Sequence, residues 1–164
     1  MADHLRDELG KMLDHYDERR RADIAREQKI RDDDVLFLKQ FAEVRQRVVR
    51  PVFESAGALL AERGHQYTIS EEEFSAENGR KLTEAGISIR IVPSGMKATV
   101  QDDEHARSFS IATRHYNKTV WINSGAGHHA GGIAGAKGAY VLERIDKQFV
   151  EEELLKFVAG VIAG

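Results

Sequence analysis

From Ala2 to about Arg31 the chain has no proline and one glycine, Gly10, and its apolar positions recur at helical spacing. Leu5, Leu9, Met12 and Tyr16 follow 4-3-4 spacing, which lines them up as a narrow seam suited to a partner helix. The same register continues through Arg19, Asp23, Arg26 and Ile30, so the seam gives out after two turns. Between Glu18 and Lys29 the segment is polar nearly all round apart from Ile24, as expected of a helix that is exposed, bridging, or held by a partner. Asp7 with Lys11, Asp17 with Arg21, and Glu27 with Arg31 place an acid four residues before a base, the favourable order on a helix. The pattern predicts a charged helical arm over residues 1–34, not a long coiled coil.

An acidic run, Asp32-Asp33-Asp34, marks the change in composition and can cap a new helix. From Val35 to Arg63, Leu38, Phe41, Val48, Val49, Val52, Ala56, Leu59 and Leu60 form a broad stripe that predicts a core-facing helix. Pro51 interrupts it, which implies a kink or two helices end to end. Gly64 suits the position just past a helix end.

The period then changes to two. A short strand is expected at Gln66 to Ser70. Ile87, Ile89 and Ile91 alternate with Ser88 and Arg90 in a half-buried strand that ends at Pro93. Phe109, Ile111 and Thr113 form a second, and the turn Tyr116-Asn117-Lys118 leads into a third at Thr119 to Asn123. After a glycine-rich stretch, residues 124–138, a strand is expected at Ala139 to Ile145. Val150, Leu154, Phe157, Val158 and Val161 then mark a helix from about Lys147 to Ala163. Strands between terminal helices imply an α+β fold. The expected architecture is an antiparallel sheet of four to five strands with N- and C-terminal helices packed on one face, forming a single domain over residues 35–164.

Charge sharpens the division. The first 34 residues hold 8 basic and 11 acidic side chains, leaving 16 of each in the rest, so the net charge of −3 sits entirely in the arm. A neutral body argues against a general polyanion binder, since affinity for a phosphate backbone rests on clustered Lys and Arg. The absence of cysteine excludes thiolate catalysis, a disulfide framework and cysteine-based zinc sites, and fits a cytoplasmic protein. The acidic start resembles neither a secretory signal nor a transit peptide, and no apolar run is long enough for a membrane span.

Candidate chemistry is thin. Gly125, Gly127 and Ala130 fit G-x-G-x-x-[GA] after a strand, but that fingerprint needs a helix to begin there, and further glycines follow instead. A phosphate-binding P-loop also fails, because Gly132 is followed by Ile133 rather than by lysine. What survives is a small-anion site made of the loop amides around Gly125 and Gly127 with His128, His129 and Lys137. Adjacent histidines point to opposite sides of an extended segment and lack a spaced carboxylate partner, so no metal site and no cofactor are expected. No catalytic motif is present. Strand alternation puts Arg90, Arg114, Trp121 and Asn123 on the sheet face away from the helices. Tryptophan and arginine are the types enriched at binding hot spots. The same face is the weaker candidate for single-stranded nucleic acid. The leading reading is a non-enzymatic interaction domain that associates with itself or another protein, with Leu5, Leu9, Met12 and Tyr16 in the interface. A small-ligand or nucleotide site at residues 125–138 is the alternative.

Overall fold

The computed structural model describes residues 2–95, 107–126 and 136–163, and the chain falls into two compact units, Met1–Leu36 and Phe37–Gly164. Helix α1 covers Ala2–Val44, followed without a gap by a π-helical turn, Arg45–Val49, and helix α2, Arg50–Glu62. The aspartate run at 32–34 does not break α1. Aspartate costs a helix at most about 0.7 kcal/mol per residue relative to alanine, and Gln28 donates to the Asp32 carboxylate at 2.9 Å.

Pro51 acts where the sequence places it, but the accommodation lies upstream. A proline lacks an N–H and crowds the carbonyl four residues back. The turn before it is widened to the π form, with the Arg50 N–H bonded to the Arg45 carbonyl five residues earlier, and Pro51 falls in the first turn of α2. Helix α2 closes as expected. Gly64 adopts φ +88°, while the Gly64 and His65 amides bond the Ala61 and Leu60 carbonyls in a Schellman arrangement.

Five strands form one antiparallel sheet in the order β1 (Gln66–Glu72), β4 (Gly86–Val92), β5 (Arg107–Arg114), β6 (Thr119–Ala126) and β7 (Ala136–Tyr140). A separate hairpin joins β2 (Ser75–Glu77) to β3 (Arg80–Thr83). Its turn, Asn78-Gly79, has φ of 52° and 76°. Both angles are positive, as a type I′ turn requires. The strand expected to reach Ile145 stops at Tyr140. A 3₁₀ turn, Leu142–Arg144, replaces its second half, and buries Leu142 and Ile145 together because residues three apart eclipse in that geometry. Helix α3, Lys147–Ala163, follows, with the Asp146 carboxylate accepting the Phe149 N–H at 2.8 Å as its N-cap.

The core lies on one face of the large sheet. Ile87, Ile89 and Ile91 of β4, Phe109 and Ile111 of β5, and Val120 and Ile122 of β6 are buried with Phe41, Phe53, Val150 and Phe157 from the helices. Phe109 is the hub: its ring meets Phe53 of α2 edge-on at 5.9 Å and Phe157 of α3 at 5.6 Å. Gly57 lets α2 approach closely, since a Cβ there would lie 2.4 Å from the Tyr67 ring of β1.

Candidate functional site

Helices α2 and α3 bury one side against the sheet and leave a groove between their other sides. Its volume is about 670 Å³. Val48, Val52, Ala56, Leu60, Leu154 and Val158 line it, together with Leu59 and Leu155, which are 58% and 68% exposed. Leu59 therefore does not belong to the core stripe in which its spacing placed it. Its charged lining residues, Arg47, Lys147 and Glu151, are exposed. Lys147 and Glu151 sit one helical turn apart with their charges 3.9 Å from each other, a pair too exposed to contribute much. Scattered exposed leucines are ordinary on a protein surface. Two of them flanking a concave apolar channel are what a docking helix recognises.

The π turn carries a second feature that sequence reading passes over. Arg45 is 7% exposed. It donates to the Glu72 carbonyl at 3.0 Å, to the Gly86 carbonyl at 3.4 Å and to the Glu73 carboxylate at 2.5 Å. Its Nε lies 3.6 Å from Glu71. Arg50 donates to Glu54 at 2.8 Å and sits 3.4 Å from Glu71. The bond to Glu54, with the charge of Glu71 adding to it, holds the Arg50 guanidinium above its usual pKa. Arg45 thus satisfies backbone carbonyls on β1 and β4 from the helical layer. The arrangement is a structural clamp, with all its acids already engaged.

The opposite face of the sheet is polar. Register aligns Ser70, Ser88, Ser110 and Asn123 across four strands, and Glu72, Gly86, Ala112 and Trp121 in the next row. A recess of about 230 Å³ opens here, lined by Ser70, Ser88, Ser110, Glu72 and Glu84 among others. Trp121 is half-buried rather than open, with the Arg114 guanidinium stacked 3.5 Å above its ring. Its indole Nε1 is buried and has no hydrogen-bond partner among the described residues. Arg114 also donates to the Tyr116 hydroxyl at 3.2 Å. Arg90 does not join this pair. It pairs across β5 with Ser108, in line with Gly125, two strands and four residues away from Trp121. Strand spacing and rise make that roughly 16 Å. The sheet face that alternation assembled on paper is therefore two separate places: an Arg114–Trp121 stack with Asn123 next to it, and Arg90 near the other end.

Glu84 organises the end of the sheet. It accepts from the Thr113 hydroxyl at 3.1 Å and the His115 amide at 3.3 Å, lies 3.2 Å from the His115 Nδ1, and pairs with Lys81 at 3.4 Å. The imidazole packs on Phe74 with ring centres 4.6 Å apart. With four partners on one carboxylate, this cluster holds the β2–β3 hairpin onto β5.

The arm residues Leu5, Leu9, Met12 and Tyr16 lie on α1 and are 67%, 48%, 66% and 50% exposed. The ion pairs seen on this stretch have i, i+3 spacing, Glu8 with Lys11 and Asp23 with Arg26, in place of the i, i+4 pairs expected. Of the loop candidates, Gly125 lies within β6, one residue before its end, and Lys137 is placed by its backbone in β7, while Gly127, His128 and His129 lie outside the described residues. No cluster of three or more metal-ligating side chains occurs among the described residues. No helix among them is long and apolar enough to cross a membrane. Comparison with protein-family models, with characterised proteins and with solved structures gives no match to this chain.

Proposed function

We propose that this chain is a protein-association domain that acts by surface contact, joining copies of itself through the groove between α2 and α3. The observation that carries the reading is the groove itself: an apolar channel of about 670 Å³ with Leu59 and Leu155 standing exposed in its lining. Fully burying an exposed leucine contributes about 1.5–3 kcal/mol, so covering the exposed parts of these two alone contributes roughly 2–4 kcal/mol to association. The charged clusters support the same reading by exclusion. Arg45, through its terminal nitrogens, and Glu84 bond backbone and neighbouring side chains, which suits scaffolding rather than proton transfer.

The test is the solution mass by light scattering at tens of micromolar chain. The wild type is expected above its 18.4 kDa chain mass. Leu155→Glu, which sets a charge inside the apolar contact, is expected at the chain mass with an unchanged circular dichroism spectrum. A wild-type monomer overturns the reading, and so does an unchanged oligomer in the Leu155→Glu variant.

A further inference from the structure

The groove needs an occupant, and the chain carries a segment of the right length, pattern and charge. We infer that the α2–α3 groove of one copy is filled by the residue 5–16 seam of a second copy. The inference rests on the association reading above and names the surfaces that meet.

Length is the first match. Leu5 to Tyr16 spans 12 residues, about 18 Å of helix, and the groove-lining stretch from Arg47 to Leu60 spans 14, about 21 Å. Pattern is the second. A helix laid in a groove needs one narrow apolar stripe, and the 4-3-4 spacing of Leu5, Leu9, Met12 and Tyr16 supplies it. All four are exposed in the single chain. The stripe lasts only as long as the groove, because the next positions in register are Arg19, Asp23 and Arg26. That break also disfavours a long arm-to-arm coiled coil, whose seam would bury those three charges. Charge is the third. Residues 5–16 hold three acids and two bases, net −1, whereas the groove's charged lining of Arg47, Lys147 and Glu151 is net +1. Two copies that each give a seam and receive one make a two-fold dimer with two identical contacts.

The chain has no cysteine, so single cysteines report contacts without background. Leu9→Cys and Leu155→Cys chains, the second carrying a mass tag, are mixed in equal amounts and oxidised gently. The heterodisulfide is expected in several-fold excess over either homodisulfide. Ile24→Cys, which is exposed but off the seam, is expected to give no such excess in place of Leu9→Cys. A dominant Leu9→Cys homodisulfide overturns the inference in favour of an arm-to-arm contact. An equal yield with Ile24→Cys overturns it as random collision. A Leu9→Cys/Leu155→Cys double variant that cross-links within one chain overturns it by making the occupant the chain's own seam. If no cross-link forms while the mass stays above 18.4 kDa, the occupant is wrong and the association reading survives. If the wild type is monomeric, both fall.

Discussion

Gly57→Ala changes the sign of its effect according to what stands at Tyr67. Replacing a helix-interior glycine by alanine stabilises by about 0.5–1 kcal/mol through backbone entropy and propensity. At this position the new methyl meets the Tyr67 ring, with three ring carbons between 2.4 and 2.6 Å from the ideal Cβ. The methyl and the ring cannot share that space, so α2 or β1 must shift or Tyr67 must leave its place. Overpacking of this kind costs typically 1–3 kcal/mol. The two effects leave Gly57→Ala destabilising by roughly 1 kcal/mol, a fall in Tm of about 2–4 °C for a chain this size. In a Tyr67→Ala background the obstacle is gone. There the same change is expected to raise Tm by about 1–4 °C, from the 0.5–1 kcal/mol of helix propensity alone. The assay is a double-mutant cycle followed by circular dichroism melts, and a coupling of about 2 kcal/mol is expected. A higher Tm for Gly57→Ala in the wild-type background would refute the close approach of α2 to β1. Equal shifts in both backgrounds would refute the part given to Tyr67. Because the far side of α2 lines the groove, this joint sets where one groove wall stands.

Three further outcomes follow from the packing. Arg45→Met strands the Glu72 and Gly86 carbonyls and is expected to lower stability by about 2–4 kcal/mol in guanidinium titrations, with Arg45→Lys recovering less than half because an ammonium lacks the planar fork. Arg114→Ala uncovers the single tryptophan and is expected to red-shift its emission while changing stability by less than about 1 kcal/mol. Asp146→Ala removes the cap of α3 and is expected to cost about 1 kcal/mol in the same titrations, an effect that Asp146→Asn largely avoids.

The strands that alternate strictly were legible. Ile87, Ile89, Ile91, Phe109 and Ile111 show period two because one side of the sheet is buried and the other is not. Helix α3 was equally plain from Val150, Leu154, Phe157 and Val161. The β2–β3 hairpin was missed although Asn78-Gly79 is the strongest short hairpin signal in the chain, because its strands are exposed throughout and carry no apolar alternation to flank it. The end of β7 was misjudged because Leu142 and Ile145, three apart, extend an apolar run that period alone cannot assign to strand or turn. The groove was out of reach for a different reason. Leu59 and Leu155 are nearly a hundred residues apart; Leu59 reads on its own helix as one more core position, while Leu155 falls outside the stripe that marks α3. Arg45 was hidden in the same way, since its partners lie 26 to 28 and 41 residues on and only the pairing of β1 with β4 brings them together.

The most direct test of association through the α2–α3 groove is hydroxyl-radical footprinting of the wild-type chain over a dilution series. Labelling of Leu59 and Leu155 is expected to be low at high concentration and to rise several-fold on dilution. Leu82 and Tyr116, exposed away from the groove, are expected to stay constant. Labelling of Leu59 and Leu155 that is the same at every concentration would contradict the account.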